Sequence, residues 1–376
     1  MNNFIEFWDG LGYNAYGLVV LVVLFFCYLI ALIYRSVVIL AKEKENITDG
    51  GRGVSVIITS NNKADYLREN LKYFLEQEYS NFEVIVVDEC SEDDTQDVLS
   101  VFQQQYPNLR TTRIFPDTKF HCTKKIAINI GVLAAANDIL LFSEINCRPA
   151  SAEWIKTMQS YFDPNTAVVL GNVNYADKKD AVSLKRFYRF LRYLKTILLI
   201  KAHCNVYGDG CNMAYRKRYY IENRGYTRNS QVYMGYDSEM VRELSAKGKV
   251  KVVKDERGEM TINDVRKKTW TEDYSYYYSG KKEWPFMAKF RADFEVFVKY
   301  GIYILSFYFI FLGILYKYVA ILLLLTFLMD FIAINVYAKH LKQKKLFLTS
   351  FIVSTIGVFY QWHYNIYSIF TGKKWR

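Results

Sequence analysis

The chain has 376 residues, of which 51% are hydrophobic and 23% charged, so it is neither a single small domain nor a disordered protein. Lys and Arg number 49 against 38 Asp and Glu, and the net charge of +11 suits phospholipid, nucleic acid or phosphorylated partners without choosing among them. The mean hydropathy of -0.04 indicates that any membrane segments are accompanied by a soluble-type domain.

The N-terminal segment contains the first predicted membrane helix. No charged residue occurs from Gly10 to Tyr34, and the apolar run from Leu18 to Ile33 is long enough to span a bilayer. Acidic residues precede this run and basic residues follow it, which is the reverse of a signal peptide. Residues 1–40 are therefore predicted to form a retained transmembrane helix whose C-terminal end faces the cytoplasm.

Residues 51–280 alternate between strand and helix patterns. The runs Val54–Ser60 and Phe82–Asp88 are rich in β-branched residues, and each is followed by apolar residues at helical spacing. The alternation continues over 110–142. This pattern predicts an α/β domain with a mostly parallel sheet flanked by helices, in which ligands bind beyond the carboxyl ends of the strands.

Polar residues follow three of these predicted strands, over 59–63, 88–94 and 143–149. No G-x-G-x-x-G or P-loop pattern follows any of them, which argues against dinucleotide binding and P-loop chemistry. The six cysteines include no C-x-x-C pair, so a zinc site is not expected. Their irregular spacing in a long chain predicts free thiols facing a cytoplasm.

The C-terminal part of the chain is predicted to return to the membrane. Apolar residues recur at helical spacing over 281–300, which predicts an interfacial amphipathic helix or, alternatively, a helix that packs on its own domain. Residues 301–376 are predicted to form a membrane region with helices at about 302–316, 319–337 and 346–370. The positive-inside rule asks for both basic clusters, 339–345 and 373–376, in the cytoplasm, so the topology of the last segment stays open.

Five short stretches of the sequence form an ordered set of motifs. In chain order they are Val54–Asn62, Phe82–Thr95, Lys124–Gly131, Gly208–Lys217 and Gly235–Met240. Together, and in this order, they resemble the family-2 glycosyltransferases, which are inverting enzymes of the GT-A fold, and specifically the membrane-anchored bacterial type. The resemblance implies a GT-A nucleotide-binding sheet with one N-terminal and two to three C-terminal membrane helices.

The resemblance assigns the binding of a nucleotide-sugar donor to the strand ends. It implies nucleoside contacts from Thr59, Asn61 and Asp88, although Asp88 could instead be a turn residue that ends its strand. It also implies that Lys124 and Lys125 lie near the diphosphate and offset its charge, although each alone could be a surface lysine.

The position of the family's D-x-D metal motif reads Glu144-Ile-Asn146 in this sequence. The resemblance implies that Glu144, which also counts among the donor-binding residues, and Asn146 hold a divalent cation, Mg²⁺ or Mn²⁺. An Asn carbonyl binds a hard cation less strongly than a carboxylate does, and Glu is one methylene longer than Asp. The sequence therefore predicts weakened metal binding.

Asp237 stands where the family carries its catalytic carboxylate residue. The resemblance implies that it is the general base that takes a proton from the acceptor hydroxyl. The alternative is a helix N-cap, with Glu239 and Glu243 in the first turn. Glu239 is the reserve candidate for the base.

The acceptor side is implied to include three residues of the glycine-rich loop and one tryptophan: Gly208, Gly210, Asn212 and Trp270. Processive members of the family carry Q-x-x-R-W in the region of Trp270, and this sequence does not. Its absence disfavours a processive synthase. The aromatic residues nearby could stack on a sugar or lie at the membrane interface.

The resemblance implies a membrane-bound inverting transferase at the cytoplasmic face of the inner membrane, working in polysaccharide biosynthesis. The implied partners are the nucleotide-sugar donor, a lipid-linked or glycan acceptor, the membrane and other glycosyltransferases. The second interpretation is a non-catalytic donor-binding or scaffold subunit of a glycan-assembly complex. A nucleic-acid binder has only the net charge in its support, so no nucleic-acid partner is expected.

Overall fold

The computed structural model describes residues 10–42, 51–115, 124–176, 182–226, 235–263, 267–343 and 349–351. The chain divides into two compact units. The sheet unit is Lys42–Trp284, and the helical unit combines Met1–Ala41 with Pro285–Arg376.

Ten strands occur in the described part of the sheet unit. They are β1 (Val54–Ser60), β2 (Phe82–Glu89), β3 (Leu109–Ile114), β4 (Ile139–Glu144), β5 (Cys147–Pro149), β6 (Thr166–Leu170), β7 (Val173–Tyr175), β8 (Met213–Arg216), β9 (Lys249–Val252) and β10 (Met260–Ile262).

Seven of these strands form the central sheet, in the spatial order β3-β2-β1-β4-β8-β6-β9. Strand β1 pairs in parallel with β2 and β4, β2 pairs in parallel with β3, and β6 pairs in parallel with β9. Only β8 runs antiparallel to its neighbours β4 and β6. The predicted mostly parallel sheet is therefore confirmed.

The helices cover the sheet or form the helical unit. They are α1 (Asn14–Leu40), α2 (Ala64–Leu75), α3 (Thr95–Gln105), α4 (Lys124–Ala134), α5 (Trp154–Ser160), α6 (Val182–Lys201), α7 (Lys217–Glu222), α8 (Tyr236–Leu244), α9 (Lys267–Lys282), α10 (Phe286–Phe311) and α11 (Tyr316–His340).

The core of the sheet unit follows from the apolar pattern. All seven residues of β1 are buried, as expected for a parallel strand that is covered on both faces. The helical spacing that predicted α2 puts Leu67, Leu71 and Phe74 on one face, and all three are fully buried. The strand ends are thereby held on a rigid scaffold.

The helical unit contains α1, α10 and α11, which are the described helices long and apolar enough to cross a membrane by length and composition. Helix α10 runs without a break from Phe286 to Phe311. The sequence placed a boundary near 300 between an interfacial helix and a span, and the structure shows no boundary there. The interfacial position of the first part of α10 stays a prediction.

The turn between α10 and α11 also differs from the sequence-based placement at 316–318. It lies at Leu312–Leu315, where Gly313 has a φ of +70° and Leu315 a φ of +47°. Glycine adopts this left-handed backbone without strain, so it permits the reversal. The last expected membrane segment, 346–370, lies almost entirely outside the described residues.

A charged cluster lies inside the helical unit, formed by Arg35 of α1, Glu295 and Lys299 of α10, and Asp330 of α11. Arg35 donates to Glu295 and, at 2.9 Å, to Asp330. The Lys299 ammonium lies 3.0 Å from Glu295 and also pairs with Asp330. Each cation therefore contacts both carboxylates, and the buried charges balance.

Candidate functional site

The strand register brings the polar strand ends to one edge of the sheet. Thr59 is the partner of Glu144 across β1 and β4, and Ser60 is the partner of Asp88 across β1 and β2. Asp88 in turn faces Arg113 on β3. The structure thus assembles the residues that the sequence placed at strand ends, and it adds Arg113, which sequence reasoning missed.

Asp88 stabilises the turn that follows its strand. Its side chain is fully buried, Oδ1 accepts a hydrogen bond from the Ser91 N–H at 3.0 Å, and Oδ2 accepts one from Gln96. The Arg113 Nε lies 3.4 Å from Oδ2. Asp88 therefore has the turn role that was the alternative interpretation, and its contact with a nucleoside stays a prediction.

Thr59 and Asn61 are both tied to Glu89, another residue that the sequence did not single out. The Thr59 hydroxyl donates to the Glu89 carboxylate, and the Asn61 side-chain amide donates to the Glu89 carbonyl. Burial raises the pKa of Glu89, although Lys124 and Lys63 act in the opposite direction. This contact holds both predicted nucleoside ligands at the end of β1.

Glu144 faces two ammonium groups. The Lys124 Nζ donates to Oε1, and the Lys63 Nζ lies 3.9 Å from Oε2. The charge of Lys124, the largest influence, lowers the pKa of Glu144 to about 2 despite burial. Lys124 and Glu144 are thus brought together as an ion pair, with Lys63 beside them.

These surroundings do not fit the divalent cation that the D-x-D position implies. The Glu144 carboxylate is already engaged by ammonium groups, which would repel a second cation. The Asn146 Oδ1 lies 3.7 Å from the Cys147 Sγ. Across the described ranges, no three His, Cys, Asp or Glu side chains are grouped so that they could hold a metal ion.

Helix α8 positions Asp237. Its N-cap is Gly235, with a φ of +79°, so Asp237 is the second helical residue. A Cβ on Gly235 would lie 2.5 Å from the Gly280 Cα, which explains why glycine stands here. The interpretation of Asp237 as a helix N-cap is therefore wrong.

The two carboxylate oxygens of Asp237 have different surroundings. Oδ2 accepts hydrogen bonds from the Gly210 N–H at 3.2 Å and from the Tyr276 hydroxyl at 2.7 Å. Oδ1 is buried and has no hydrogen-bond partner among the residues that the structure describes. Burial raises the pKa of Asp237 to about 6, against the opposing effects of Lys124 and the Tyr276 hydrogen bond.

The glycine-rich loop packs directly against the start of α8. A Cβ on Gly210 would lie 2.7 Å from the Asp237 Oδ2, and one on Gly208 would lie 2.7 Å from the Asp237 carbonyl oxygen. The sequence-predicted loop and the predicted base are therefore neighbours. Contacts of either glycine with an acceptor stay predictions.

The structure places Asn212 in the core of the sheet unit rather than at an acceptor surface. Its Oδ1 accepts from the Trp154 indole at 3.1 Å, and its Nδ2 donates to the carbonyls of Asn172 and Gly258, both at 2.8 Å. The side chain is fully buried. The predicted acceptor contact is corrected to a structural role, because a buried amide must keep its hydrogen bonds.

Of two further predicted site residues, Lys125 has a described side chain and Trp270 does not. The Lys125 ammonium lies 5.6 Å from the ring centre of Tyr236 and 6.0 Å from that of Tyr226. Burial lowers the pKa of Lys125, and the charge of Asp237 opposes this effect. The backbone of Trp270 belongs to α9, and its side chain lies outside the described part of the structure.

An ionic network anchors the glycine-rich loop. The Arg189 guanidinium donates to Asp209 at 2.6 Å and to Asp273 at 2.5 Å, and Arg192 donates to Asp273 at 2.9 Å. The loop is thereby tied to α6 and α9. Sequence reasoning missed these arginines and Tyr276, because their spacing reports only that they lie on helices.

The family comparison agrees with this geometry. Residues 55–224 match the family described as "Glycosyl transferase family 2". This region of the chain is therefore similar to the family-2 glycosyltransferases. The match ends before α8, so the placement of Asp237 rests on the geometry of the glycosyltransferase domain and not on the family match.

Two curated relatives are also glycosyltransferases by name. One is the "Uncharacterized glycosyltransferase alr2836" of Nostoc sp., 33% identical over 89 residues, which cover 24% of this chain and 26% of the relative. The other is the "Putative teichuronic acid biosynthesis glycosyltransferase TuaG" of Bacillus subtilis, 39% identical over 51 residues, which cover 14% of this chain and 20% of the relative. The chain thus spans about a quarter or less of the length of these relatives.

Among solved structures, the chain is similar to the mannosyltransferase PcManGT from Pyrobaculum calidifontis in complex with GDP-Man and Mn²⁺. The TM-score is 0.55 at 16% identity, and the likeness covers 91% of this chain and 99% of that chain. At this identity the likeness concerns the fold alone. The glycosyltransferase domain has the GT-A fold.

Proposed function

We propose that the protein is a membrane-bound inverting glycosyltransferase. It moves one sugar from a nucleotide-diphosphate sugar to a lipid-linked or polysaccharide acceptor at the cytoplasmic face of the cell membrane. The observation that carries this proposal is the carboxylate of Asp237, which the protein holds through Oδ2 while Oδ1 has no partner among the described residues. An acceptor hydroxyl would supply the missing hydrogen bond.

The reaction follows from this arrangement. The acceptor oxygen attacks the anomeric carbon, and its proton goes to the Asp237 Oδ1. The bond between the anomeric carbon and the diphosphate oxygen breaks on the opposite side, and its electron pair stays on the diphosphate. A pKa of about 6 leaves Asp237 mostly ionised at neutral pH and still basic enough to accept this proton.

The cations at the strand ends support a diphosphate donor. Lys63, Lys124 and Arg113 lie at or beside the carboxyl edge of the sheet, where GT-A enzymes bind nucleotides. Charge-assisted hydrogen bonds from such groups are the usual way to hold phosphate oxygens. The nucleotide-sugar class also agrees with the GDP-Man bound to the similar mannosyltransferase.

The helical unit supports an acceptor at a membrane. Among the residues that the structure describes, three helices are long and apolar enough to span, namely α1, α10 and α11. Lipid-linked acceptors present their reacting hydroxyl at the bilayer surface, and the teichuronic acid relative makes a polysaccharide acceptor a reasonable second class. The basic residues after α1 favour a cytoplasmic position for the glycosyltransferase domain.

The test is sugar transfer by the purified full chain in lipid nanodiscs. A panel of UDP-, GDP-, CDP- and dTDP-sugars is supplied together with a bacterial lipid and glycan extract, and release of the nucleotide is measured. We expect acceptor-dependent release with at least one donor and inversion of the anomeric configuration by NMR. Absence of transfer with every donor, in protein that binds one of them, would contradict the proposal.

A second candidate is a non-catalytic donor-binding or scaffold subunit. The pairing of Glu144 with Lys124 in place of a metal site is the observation in its favour. The two candidates differ in the effect of Asp237→Asn on glycan assembly in cells. A transferase loses its product, whereas a scaffold keeps it.

A further inference from the structure

At the position where the family binds a metal ion, this protein has a carboxylate that pairs with lysine side chains. Glu144 receives the Lys124 ammonium on Oε1, and the Lys63 ammonium lies 3.9 Å from Oε2. Asn146, the other predicted ligand, has a neutral side-chain oxygen that lies 3.7 Å from the Cys147 Sγ. The position therefore presents one carboxylate to two ammonium groups.

A divalent cation is expected to bind weakly at such a position. Mg²⁺ and Mn²⁺ need several oxygen ligands, and carboxylates contribute most because their charge compensates for lost hydration. Here the Glu144 carboxylate is already paired with the Lys124 ammonium, and the Lys63 ammonium lies 3.9 Å from its other oxygen. The ion would have to displace Lys124 before it could bind.

An ammonium group can stabilise the negative charge of the diphosphate in place of a divalent cation. Negative charge develops on the diphosphate as the sugar leaves, and preorganised donors near that charge stabilise the transition state. The Lys124 Nζ has three N–H donors, of which Glu144 takes one and holds the group in place. Lys63, which is partly exposed, adds a second positive charge from the end of β1.

We propose that the Lys124 ammonium, held by Glu144, replaces the divalent cation at the donor diphosphate, so that this protein binds its donor and transfers the sugar without metal. The proposal rests on the proposed function, because it assigns the charge partner of the same leaving group. It makes Lys124 a catalytic residue that touches the diphosphate, and Glu144 a positioning residue. The electron pair of the breaking bond stays on the diphosphate oxygen, next to the Lys124 N–H groups.

The first experiment measures nucleotide binding rather than activity. UDP, GDP, CDP, ADP and dTDP are titrated calorimetrically into the full chain in nanodiscs, in EDTA and again with Mn²⁺ or Mg²⁺. We expect one nucleotide to bind with an affinity that metal changes by less than about twofold. Lys124→Met should weaken this binding at least about tenfold, since it removes a charge-assisted hydrogen bond. The matched control is Lys249→Met, which removes an exposed lysine of the same domain.

A second pair of variants tests the exchange of one cation for another. Lys124→Gln alone should stay weak in binding when Mn²⁺ is added. Combined with Asn146→Asp, it offers two carboxylates and no ammonium on Glu144 Oε1, and Mn²⁺ should then restore nucleotide binding. Direct Mn²⁺ titration followed by electron paramagnetic resonance gives the same comparison without nucleotide.

The possible results separate the two proposals. Nucleotide binding that requires Mn²⁺ or Mg²⁺ in the wild type, or that Lys124→Met leaves unchanged, overturns the metal-free proposal and leaves the transferase proposal intact. Recovery of Lys124→Gln alone with Mn²⁺ overturns it too. A folded chain that binds none of the nucleotides overturns the proposed function, and the metal-free proposal with it.

Discussion

For Asp237, the structure excludes one of the two roles that the sequence had left open. Capping is not its role, because Gly235 is the N-cap of α8. An Asn at this position keeps a carbonyl oxygen that can accept from Gly210 and Tyr276, but the amide does not accept a proton at neutral pH. We expect Asp237→Asn to fold, to bind the donor nucleotide with near wild-type affinity, and to lose at least about 100-fold in turnover.

Nucleotide release and thermal unfolding of the purified variant check this expectation. Glu239→Gln is the comparison, because Glu239 was the reserve base and its carboxylate pairs with Arg242. Full turnover in Asp237→Asn, with loss in Glu239→Gln, would move the base to Glu239.

The pH dependence of the reaction should report the Asp237 carboxyl group. Its pKa is raised to about 6 by burial, with Asp209 and Glu144 acting in the same direction and Lys124 and Tyr276 opposing. The base must be ionised, so kcat/KM should rise with pH below about 6 and level off above it. A rate profile between pH 5 and 8 with a saturating donor and limiting acceptor measures this. A profile that stays flat down to pH 5 would contradict the raised pKa.

Tyr276 is expected to tune this base. Its hydroxyl donates to the Asp237 Oδ2 and favours the ionised form, so Tyr276→Phe should move the acidic limb of the profile to higher pH. Turnover near pH 6 should fall more than turnover at pH 8. The control is Tyr278→Phe on the same helix, because the Tyr278 hydroxyl lies 3.2 Å from that of Tyr274 and should leave the profile in place. An equal loss at every pH would show that Tyr276 only supports the fold.

At the scale of elements, the charged cluster links the three apolar helices. Asp330 is fully buried and pairs with Arg35 and Lys299. Asp330→Asn leaves two buried cations with one carboxylate, and such an imbalance costs about 3–5 kcal/mol in soluble proteins. We expect a clearly lower Tm of the detergent-solubilised protein.

The rescue variant for this prediction restores the charge balance. Lys299→Met combined with Asp330→Asn leaves the pair of Arg35 with Glu295, so much of the lost Tm should return. Additive losses in the double variant would show that the cluster contributes through packing and not through charge.

The helices differ from their sequence-based boundaries for an identifiable reason. Apolar residues in the sequence mark where a helix can be buried, whereas a helix ends where its backbone hydrogen bonds end. Helix α10 contains Gly301 near the predicted boundary, yet a Cβ there would lie 2.6 Å from the Leu24 side chain of α1. The glycine therefore serves close helix packing rather than a break.

At the scale of the whole molecule, membrane topology decides whether the site can reach cytoplasmic nucleotide sugars. A variant that keeps Cys90 and lacks the other cysteines should not react with a membrane-impermeant maleimide in intact cells, and it should react after permeabilisation. Cys90 is partly exposed and lies beside the strand ends. The positive control adds Tyr13→Cys, because Tyr13 is exposed and precedes the first span. Labelling of Cys90 from outside would reverse the orientation.

The sequence by itself indicated most of the secondary structure and the α/β class of the sheet unit. Continuous apolar runs such as β1, and helical spacing such as that of α2, are local signals that depend on residues close together in the chain. The order of five short motifs indicated the family whose model matches residues 55–224, and apolar runs located the three described helices of the helical unit. These features depend on which faces of the helices and strands are buried, and not on how the elements pack against one another.

Only the tertiary structure decided which polar groups contact one another. Lys124 and Glu144 are 20 residues apart, Gly210 and Asp237 are 27 apart, and Tyr276 and Asp237 are 39 apart. No local pattern indicates that these atoms meet, because a hydrogen bond depends on ångström-scale positions that the packing of helices on the sheet sets. The fold therefore shows contacts that the motifs did not indicate: Asp88 stabilises a turn, Asn212 lies in the core, and Lys124 is paired with Glu144 at the expected metal position.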